Sequence, residues 1–163
     1  MGNFKVILII TIINMKIRNA VLTDSNIIAE NNLMLAKESE GKNIDYKTVL
    51  EGVKNVINDR QKGFYLVAEE NKGIIGQMMI TYEWSDWQNK NIWWFQSVYI
   101  NKSWRKKGVF KQLFKTIKER ALENNVDTLR LYVHSNNIEA KQVYHQVKLI
   151  KKSYDFYQIT LQH

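Results

Sequence analysis

The chain has 163 residues, of which 24 are Lys or Arg and 16 are Asp or Glu, so its formal net charge is +8. It has no Cys, which excludes a disulfide framework, a thiolate nucleophile and a cysteine metal site, and its three His are too scattered to predict a zinc site. The length suits one domain, and the hydrophobic fraction of 45% is ordinary for a globular protein.

Positive charge is spread along the chain, and only residues 105–107 and 148–152 are locally dense in Lys and Arg. A basic surface favours nucleic acids, anionic membranes or small polyanions as partners. Because neither stretch resembles a long basic arm, we expect no nucleic-acid partner. The absence of Cys fits a cytoplasmic location, which is the one we expect.

Residues 1–14 form an apolar N-terminal extension. The nearly unbroken apolar run at 6–13 is too short to span a bilayer as a helix, and no small-residue cleavage pattern follows it. We therefore expect no membrane segment. Two alternatives stay open: the extension adds a strand, or Met15 is the natural start and the extension lies upstream. Residues 15–163 are expected to form a single domain.

From residue 15 onward, hydrophobic periodicity predicts alternating strands and helices. Thr23, Asp24 or Ser25 would begin the first helix, and Asp45 would begin the second. The predicted strands cover residues 16–21, 64–69, 74–84, 92–100, 127–134, 147–150 and 153–161, and helices end near residues 37, 57, 124 and 146.

The stretch at residues 97–113 combines the end of a strand, a polar turn and the start of a helix. The turn is Arg105-Lys106-Lys107-Gly108, whose glycine would let the backbone approach a ligand closely. The first amides of a helix are unpaired donors, and the helix dipole adds positive charge there. The pattern predicts a phosphate site, with a solvated turn as the alternative that these residues alone leave open.

A second motif lies on the short helix that ends near residue 146. Its spacing puts Asn137, Ala140 and Tyr144 on one face, so Asn137 and Tyr144 can contact one ligand. Taken alone, a tyrosine on an amphipathic helix is more often part of the core than part of a catalytic site.

Both motifs, and the order of the elements from Met15 onward, resemble the GNAT superfamily of N-acetyltransferases. Arg105, Gly108 and Phe110 match its Arg/Gln-x-x-Gly-x-Gly/Ala motif, with Phe110 replacing the usual small residue. The second motif matches its Asn-x-x-Ala-x-x-x-Tyr pattern, and Lys148 stands where a glycine usually follows. The resemblance implies an α/β (α+β) fold: a mixed, mostly antiparallel sheet of about seven strands, about four flanking helices, and a V-shaped split between the fourth and fifth strands.

The resemblance also implies an activity, the transfer of an acetyl group from acetyl-CoA to a primary amine of a small molecule or peptide by direct attack. The pantetheine arm would pair with the open strand edge, and a backbone amide near Val98 would polarise the thioester oxygen. The pyrophosphate would bind amides of residues 106–111. No metal is implied. The residues expected to bind acetyl-CoA are Val98, Tyr99, Ile100, Arg105, Lys106, Lys107, Gly108, Val109, Phe110, Lys111 and Asn137.

Direct attack requires two proton transfers. Tyr144 matches the family's acid position, and a tyrosine pKa of about 10 suits a donor to the departing thiolate. For the base that deprotonates the amine we predict Glu83, with Asp86 as the weaker alternative.

A non-catalytic module of the same fold, which holds coenzyme A or another effector as a sensor, is the alternative to an enzyme. The presence of Asn137 and Tyr144 favours the enzyme. The acceptor stays open, and so does the oligomeric state, for which a homodimer is one candidate.

Overall fold

The computed structural model describes residues 15–161, which divide into two compact units. The first unit ends at Tyr132 and contains the sheet, and the second begins at Val133 and contains the last helix. The extension predicted at residues 1–14 lies outside the described residues. That residues 15–163 form one domain stays a prediction.

The order of the elements follows the sequence prediction up to the last helix. The short 3₁₀ turns at Leu22–Asp24 and Lys102–Trp104 precede α1 and α3. In chain order, the strands and helices are β1 (Lys16–Asn19), α1 (Ser25–Glu40), α2 (Tyr46–Asn58), β2 (Phe64–Glu70), β3 (Gly73–Ser85), β4 (Lys90–Ile100), α3 (Val109–Glu123), β5 (Leu129–Leu131) and α4 (Ile138–Gln146).

The described residues form one sheet of five strands in the order β1-β2-β3-β4-β5, antiparallel except for the parallel β4–β5 pair. The mixed α/β class and the four helices are confirmed, but the prediction of about seven strands is wrong in number. Residues 147–161, expected to add two strands, carry no regular secondary structure. A strand needs a neighbour for its backbone hydrogen bonds, and apolar side chains of this segment such as Tyr154, Tyr157 and Ile159 are exposed.

The sheet of the first unit is covered on both faces. Side chains alternate along a strand, so Tyr65 and Val67 of β2 lie on the face where α1 and α2 pack. Phe95 of β4 lies on the opposite face, where its ring stacks on Phe114 of α3 with centroids 5.5 Å apart. Both faces are largely apolar and buried, and this double burial holds the strands in register.

The pairing between β4 and β5 is short. It consists of Trp93 with Leu129, Trp94 with Arg130, and Phe95 with Leu131. β4 continues beyond the last of these pairs to Ile100. Its final segment therefore runs past the end of β5 at the place where the sequence predicts the split.

Gly63, just before β2, lies where two backbone segments of the sheet are in close contact. A Cβ at this position would lie 2.0 Å from the Ile80 carbonyl oxygen, and φ is +139°. We expect Gly63→Ala to lower the free energy of unfolding in urea by about 3 kcal/mol or more, because backbone has to move. Gly52→Ala is the control: its Cβ meets nothing within 4 Å in α2, so stability should rise by about 1 kcal/mol. Equal stability of the two variants would contradict this packing.

Candidate active site

One extra residue interrupts β4 at the centre of the predicted site. Gln77 pairs with Tyr99, but Met79 pairs with Gln96, so Ser97 and Val98 together oppose Met78. This is a β-bulge, and Ser97 has a φ of +47°, in the left-handed region. A bulge releases backbone groups from the ladder and turns them in new directions. It therefore makes the Val98 amide a candidate donor to a ligand oxygen.

The turn after β4 has the strand–turn–helix form that the sequence predicts. After the 3₁₀ turn, Lys106 and Gly108 both adopt positive φ, +62° and +83°, and α3 begins at Val109. Lys106, Lys107 and Lys111 are exposed. The Lys107 ammonium lies 4.8 Å from the centre of the Trp104 ring. The loop thus combines the first amides of a helix with several cations, a combination that suits a phosphate.

Two glycines, Gly76 and Gly108, determine how closely α3 packs on the sheet and how open the loop is to a ligand. A Cβ on Gly76 of β3 would lie 2.7 Å from Ile100 Cδ1 and 2.9 Å from Val109 Cγ1, so the start of α3 packs close against the strand. A Cβ on Gly108 meets no atom within 4 Å. The space beside Gly108 is open, and a ligand backbone or phosphate can approach there.

Arg105 is held by groups of the protein itself. Its Nε donates to the Ile100 carbonyl at 3.0 Å, and its Nη2 donates to Glu38 Oε2 at 2.6 Å. Its guanidinium also lies 5.6 Å from the centre of the Tyr99 ring, and the Tyr99 hydroxyl donates to Glu38 at 3.3 Å. Glu38 therefore links the end of α1 to the loop, and Arg105 stiffens the turn in which the predicted binding residues lie.

Glu83, the predicted base, lies in an ion pair. Its carboxylate accepts from Trp94 Nε1 at 2.5 Å and from Arg130 Nη1 at 3.1 Å. The Arg130 guanidinium lies 5.8 Å from the centre of the Trp94 ring, and this ring packs against the Tyr132 ring at a tilt of 32°, with centroids 4.5 Å apart. We call these four residues the charged aromatic cluster. Asp86, the weaker candidate, is exposed on the β3–β4 hairpin.

The second unit contains the residues of the second motif. Asn137 caps α4, because its side chain accepts from the Ala140 amide at 3.0 Å. Tyr144 is half-buried, and burial raises the pKa of its phenol. Lys148 follows α4 with a φ of +64°, so the left-handed turn that usually holds a glycine is kept with a lysine.

Two residues of this region, Arg130 and Ser97, cannot be recognised from the sequence. Arg130 looks like the polar side of a short strand. Ser97 interrupts no pattern, because a single serine in a strand carries no bulge signal. Their partners belong to other strands, so only distances in the folded protein identify these contacts.

Over residues 15–161, no group of three or more His, Asp or Glu side chains is arranged to hold a metal ion. Within the same range, no helix is both long enough and apolar enough to cross a membrane.

Comparison with known proteins identifies the class of protein that this fold and site define. The family model "Acetyltransferase (GNAT) family" matches residues 31–148, and the chain belongs to this family. Its fold is similar to that of a possible acetyltransferase from Clostridium difficile 630, with 41% identity, a TM-score of 0.84, and coverage of 91% of this chain and 99% of the other. A comparison with curated proteins finds no match.

More distant structures share the fold. A predicted acetyltransferase from Clostridium acetobutylicum, solved with acetyl-CoA, is 19% identical at a TM-score of 0.74, covering 90% of this chain and 96% of the other. An aminoglycoside acetyltransferase from an uncultured soil metagenomic sample, solved with sisomicin, is 14% identical at 0.73, covering 91% and 97%.

The Glu38 link yields a pH-dependent prediction. Burial opposes ionisation of Glu38, but the hydrogen bond from Arg105 and the charge of Lys102 outweigh it and hold its pKa below the ordinary value. A lowered folded-state pKa stabilises the protein above the unfolded pKa of about 4.3, and this contribution is lost as the pH falls through the folded pKa. We expect Glu38→Gln to cost about 1 kcal/mol near pH 7 and nothing at the acid end of that window.

The measurement is urea unfolding of both proteins across this pH range. Glu40→Gln is the control, because Glu40 forms an ion pair with Lys42 on the exposed surface, where a pair contributes little. A Glu38→Gln difference that does not change with pH would show that the carboxylate charge is not what stabilises the link.

Proposed function

We propose that this protein is an acetyl-CoA-dependent N-acetyltransferase that moves an acetyl group to a primary amine by direct attack. The observation that carries the proposal is the bulge at Ser97 and Val98, which lies just before a loop rich in cations and helix amides. The family assignment and the structural relative solved with acetyl-CoA support the same donor.

The donor would bind along the end of β4 and over the loop. Backbone groups of Val98 and Tyr99 would pair with the pantetheine arm, and the Val98 amide would donate to the thioester oxygen, where negative charge develops during attack. The Ile100 carbonyl already accepts from Arg105, so Ile100 would contribute its amide or its apolar contact. Amides and cations of residues 106–111 would hold the pyrophosphate.

Tyr144 would protonate the departing thiolate of coenzyme A. This role is carried over from the family's Asn-x-x-Ala-x-x-x-Tyr motif, which residues 137–144 match. Because burial raises its pKa, the phenol keeps its proton through the neutral range and can act as an acid there. Asn137 would act indirectly, since its side chain caps the helix that contains Tyr144.

The amine would enter beside the charged aromatic cluster. The carboxylate of Glu83 would attract a cationic amine, which the rings of Trp94 and Tyr132 could also contact. Deprotonation by Glu83 requires that the amine, or a water molecule beside it, compete with Arg130 for the carboxylate. A small-molecule or peptide amine fits this surface; the aminoglycoside acetyltransferase shares only the fold and does not specify the acceptor.

The ion pair also favours a second function, a sensor that binds coenzyme A without turnover. The Glu83 carboxylate already accepts from Arg130 and Trp94, so an amine would have to displace a partner to reach it, and the fold alone does not require catalysis. A screen of amine acceptors that measures thiol release from acetyl-CoA separates the two functions. Turnover of any amine above the rate of hydrolysis supports the enzyme, whereas tight coenzyme A binding without turnover supports the sensor.

Gly108 tests the donor site. We expect Gly108→Ala to weaken coenzyme A binding about tenfold, or about 1.4 kcal/mol, because the added Cβ fills the space where the pyrophosphate would approach. Gly41→Ala is the matched control: Gly41 ends α1 with a φ of +66°, and its Cβ also meets nothing within 4 Å. Both variants pay about 1–2 kcal/mol for a left-handed alanine. Calorimetric titration with coenzyme A should separate them; equal affinities would remove Gly108 from the site.

Tyr144 tests the chemistry. Tyr144→Phe removes only the hydroxyl, so we expect kcat on the best acceptor to fall by about 10²–10⁴-fold while the affinity for acetyl-CoA stays nearly unchanged. In the wild type, loss of activity through this group should occur only above pH 10, since the pKa of Tyr144 is raised. Steady-state turnover against pH measures both effects. Full activity of Tyr144→Phe would show that Tyr144 only packs in the helix and takes no part in catalysis.

A further inference from the structure

A series of polar side chains, some fully and some partly buried, connects α1 with the bulge of β4. At its centre is Gln77, which is fully buried on β3. Gln77 Oε1 accepts from Asn31 Nδ2 at 2.8 Å, and Gln77 Nε2 donates to Asn32 Oδ1 at 2.9 Å. Asn32 Nδ2 donates to the Tyr65 hydroxyl at 3.1 Å, and this hydroxyl is hydrogen-bonded to the Ser97 side chain. We call these five residues the buried polar network.

Such a network is costly to build, because each amide and hydroxyl gives up hydrogen bonds to water. Apolar side chains of similar size would fill the same space without that cost. In the part of the chain that the structure describes, no buried side-chain nitrogen or oxygen lacks a partner, so the buried members of the network, Asn31, Tyr65 and Gln77, have their polar atoms paired. A paired polar network restricts geometry more strictly than apolar packing does, since hydrogen bonds depend on direction as well as distance.

The network ends at Ser97, a residue whose backbone conformation is strained. Ser97 is not a glycine, yet its φ of +47° lies in the left-handed region, which residues with a Cβ enter only at a cost. The peptide that joins Ser97 to Val98 is planar. The backbone rotation at Ser97 therefore sets the direction in which the Val98 amide points. Ladder pairing cannot set it, because Ser97 and Val98 share one opposing residue.

We propose that Tyr65 and Gln77 are positioning residues for acetyl transfer, which hold Ser97 in the left-handed conformation so that the Val98 amide points at the thioester oxygen. The inference rests on the proposed function, since it takes the Val98 amide as the donor to that oxygen. The two side chains act through Ser97. Gln77 is hydrogen-bonded to Asn31 and Asn32 of α1. Tyr65 is hydrogen-bonded to Asn32 and to Ser97, so the bulge is held at a fixed position relative to α1.

Tyr65 can keep its hydrogen bonds to Asn32 and Ser97 over the working range of pH. The phenol oxygen accepts from Asn32, and the hydrogen bond with Ser97 also lowers the pKa of Tyr65, as a bond donated by the Ser97 hydroxyl does. Burial raises the pKa of Tyr65, and the group stays neutral over the working range of pH. Both hydrogen bonds are therefore kept while groups at the surface of the site change their protonation.

The test reads the thioester carbonyl directly and needs no acceptor. Acetyl-CoA carrying ¹²C or ¹³C at the carbonyl is bound to the full chain, and the isotope-edited infrared difference spectrum gives the carbonyl stretch. A donor at the oxygen lowers this frequency relative to free acetyl-CoA. Tyr65→Phe removes only the connecting hydroxyl and leaves Gln77 bonded to α1. We expect the wild-type band to be shifted down, and the band of Tyr65→Phe to move back toward the free value.

Two further variants separate positioning from general stability. Ser97→Ala breaks the last hydrogen bond and should move the band in the same direction as Tyr65→Phe, should the latter fold poorly. Val53→Ala is the control: Val53 is buried in the same apolar cluster as Tyr65 but makes no polar contact through its side chain. Val53→Ala should lower the melting temperature and leave the carbonyl band at the wild-type frequency.

Once an acceptor is known, kcat of Tyr65→Phe should fall about tenfold, less than the roughly 10²–10³-fold for loss of an oxyanion donor.

The outcomes are distinct. A wild type that does not bind acetyl-CoA overturns the proposed function, and this inference with it. A wild type that binds with an unshifted band leaves the donor intact but overturns the role of the Val98 amide and of its support. A shifted band that persists in both Tyr65→Phe and Ser97→Ala overturns the positioning role alone. A band that moves equally in Val53→Ala shows that loss of stability is the cause, which also overturns it.

Discussion

The extra residue in β4 decides which side chains meet around the candidate site. Before the bulge, Trp94 and Gln96 face the side of the sheet where α1 and α2 pack, because they pair with Thr81 and Met79. Two residues then oppose one, and the alternation shifts by one position. Tyr99 consequently faces α1 and reaches Glu38. Without the bulge, Tyr99 would point toward α3, and its hydroxyl could not reach Glu38 at the end of α1.

Electrostatics around the site is arranged by pairing rather than by net charge alone. The formal charge of +8 is spread over the sequence, yet the loop before α3 and the first turn of α3 place Lys106, Lys107 and Lys111 on exposed positions. Glu38 neutralises Arg105 beside them, so that arginine supports the turn while the lysines stay exposed around it. On the same face of the sheet, Glu83 and Arg130 cancel each other. The donor side of the proposed site is thus strongly cationic, which suits a polyanionic donor, whereas in the charged aromatic cluster on the proposed acceptor side each charge has an opposite charge beside it.

The proposed donor and acceptor sides also differ in how rigidly they are built. The donor side consists of backbone groups of β4 and of the first turn of α3, and Gly76 lets that turn pack tightly against the sheet. The acceptor side consists of long side chains near the β3–β4 hairpin, where Trp84 and Trp87 are exposed. Backbone geometry is shared by all members of a fold, whereas side chains of this kind differ from one protein to the next. Family membership therefore supports the donor more strongly than any particular amine.

The sequence by itself determined the elements that depend on local physics. Alternation and periodicity predicted β2, β3, β4 and three long helices, and Asp45 and Asn137 cap their helices as cap chemistry requires. The Arg105–Gly108 turn was also predictable, because a glycine between a strand and a helix acts within a few residues. Only the tertiary structure decided the bulge at Ser97, the pairing of Glu83 with Arg130, and the absence of strands in residues 147–161. Each of these depends on a partner far away in the chain: a facing strand, a neighbouring β5, or an edge to pair with. Distant partners leave no periodic trace in the sequence, since the free energy that selects them arises only when the chain has folded.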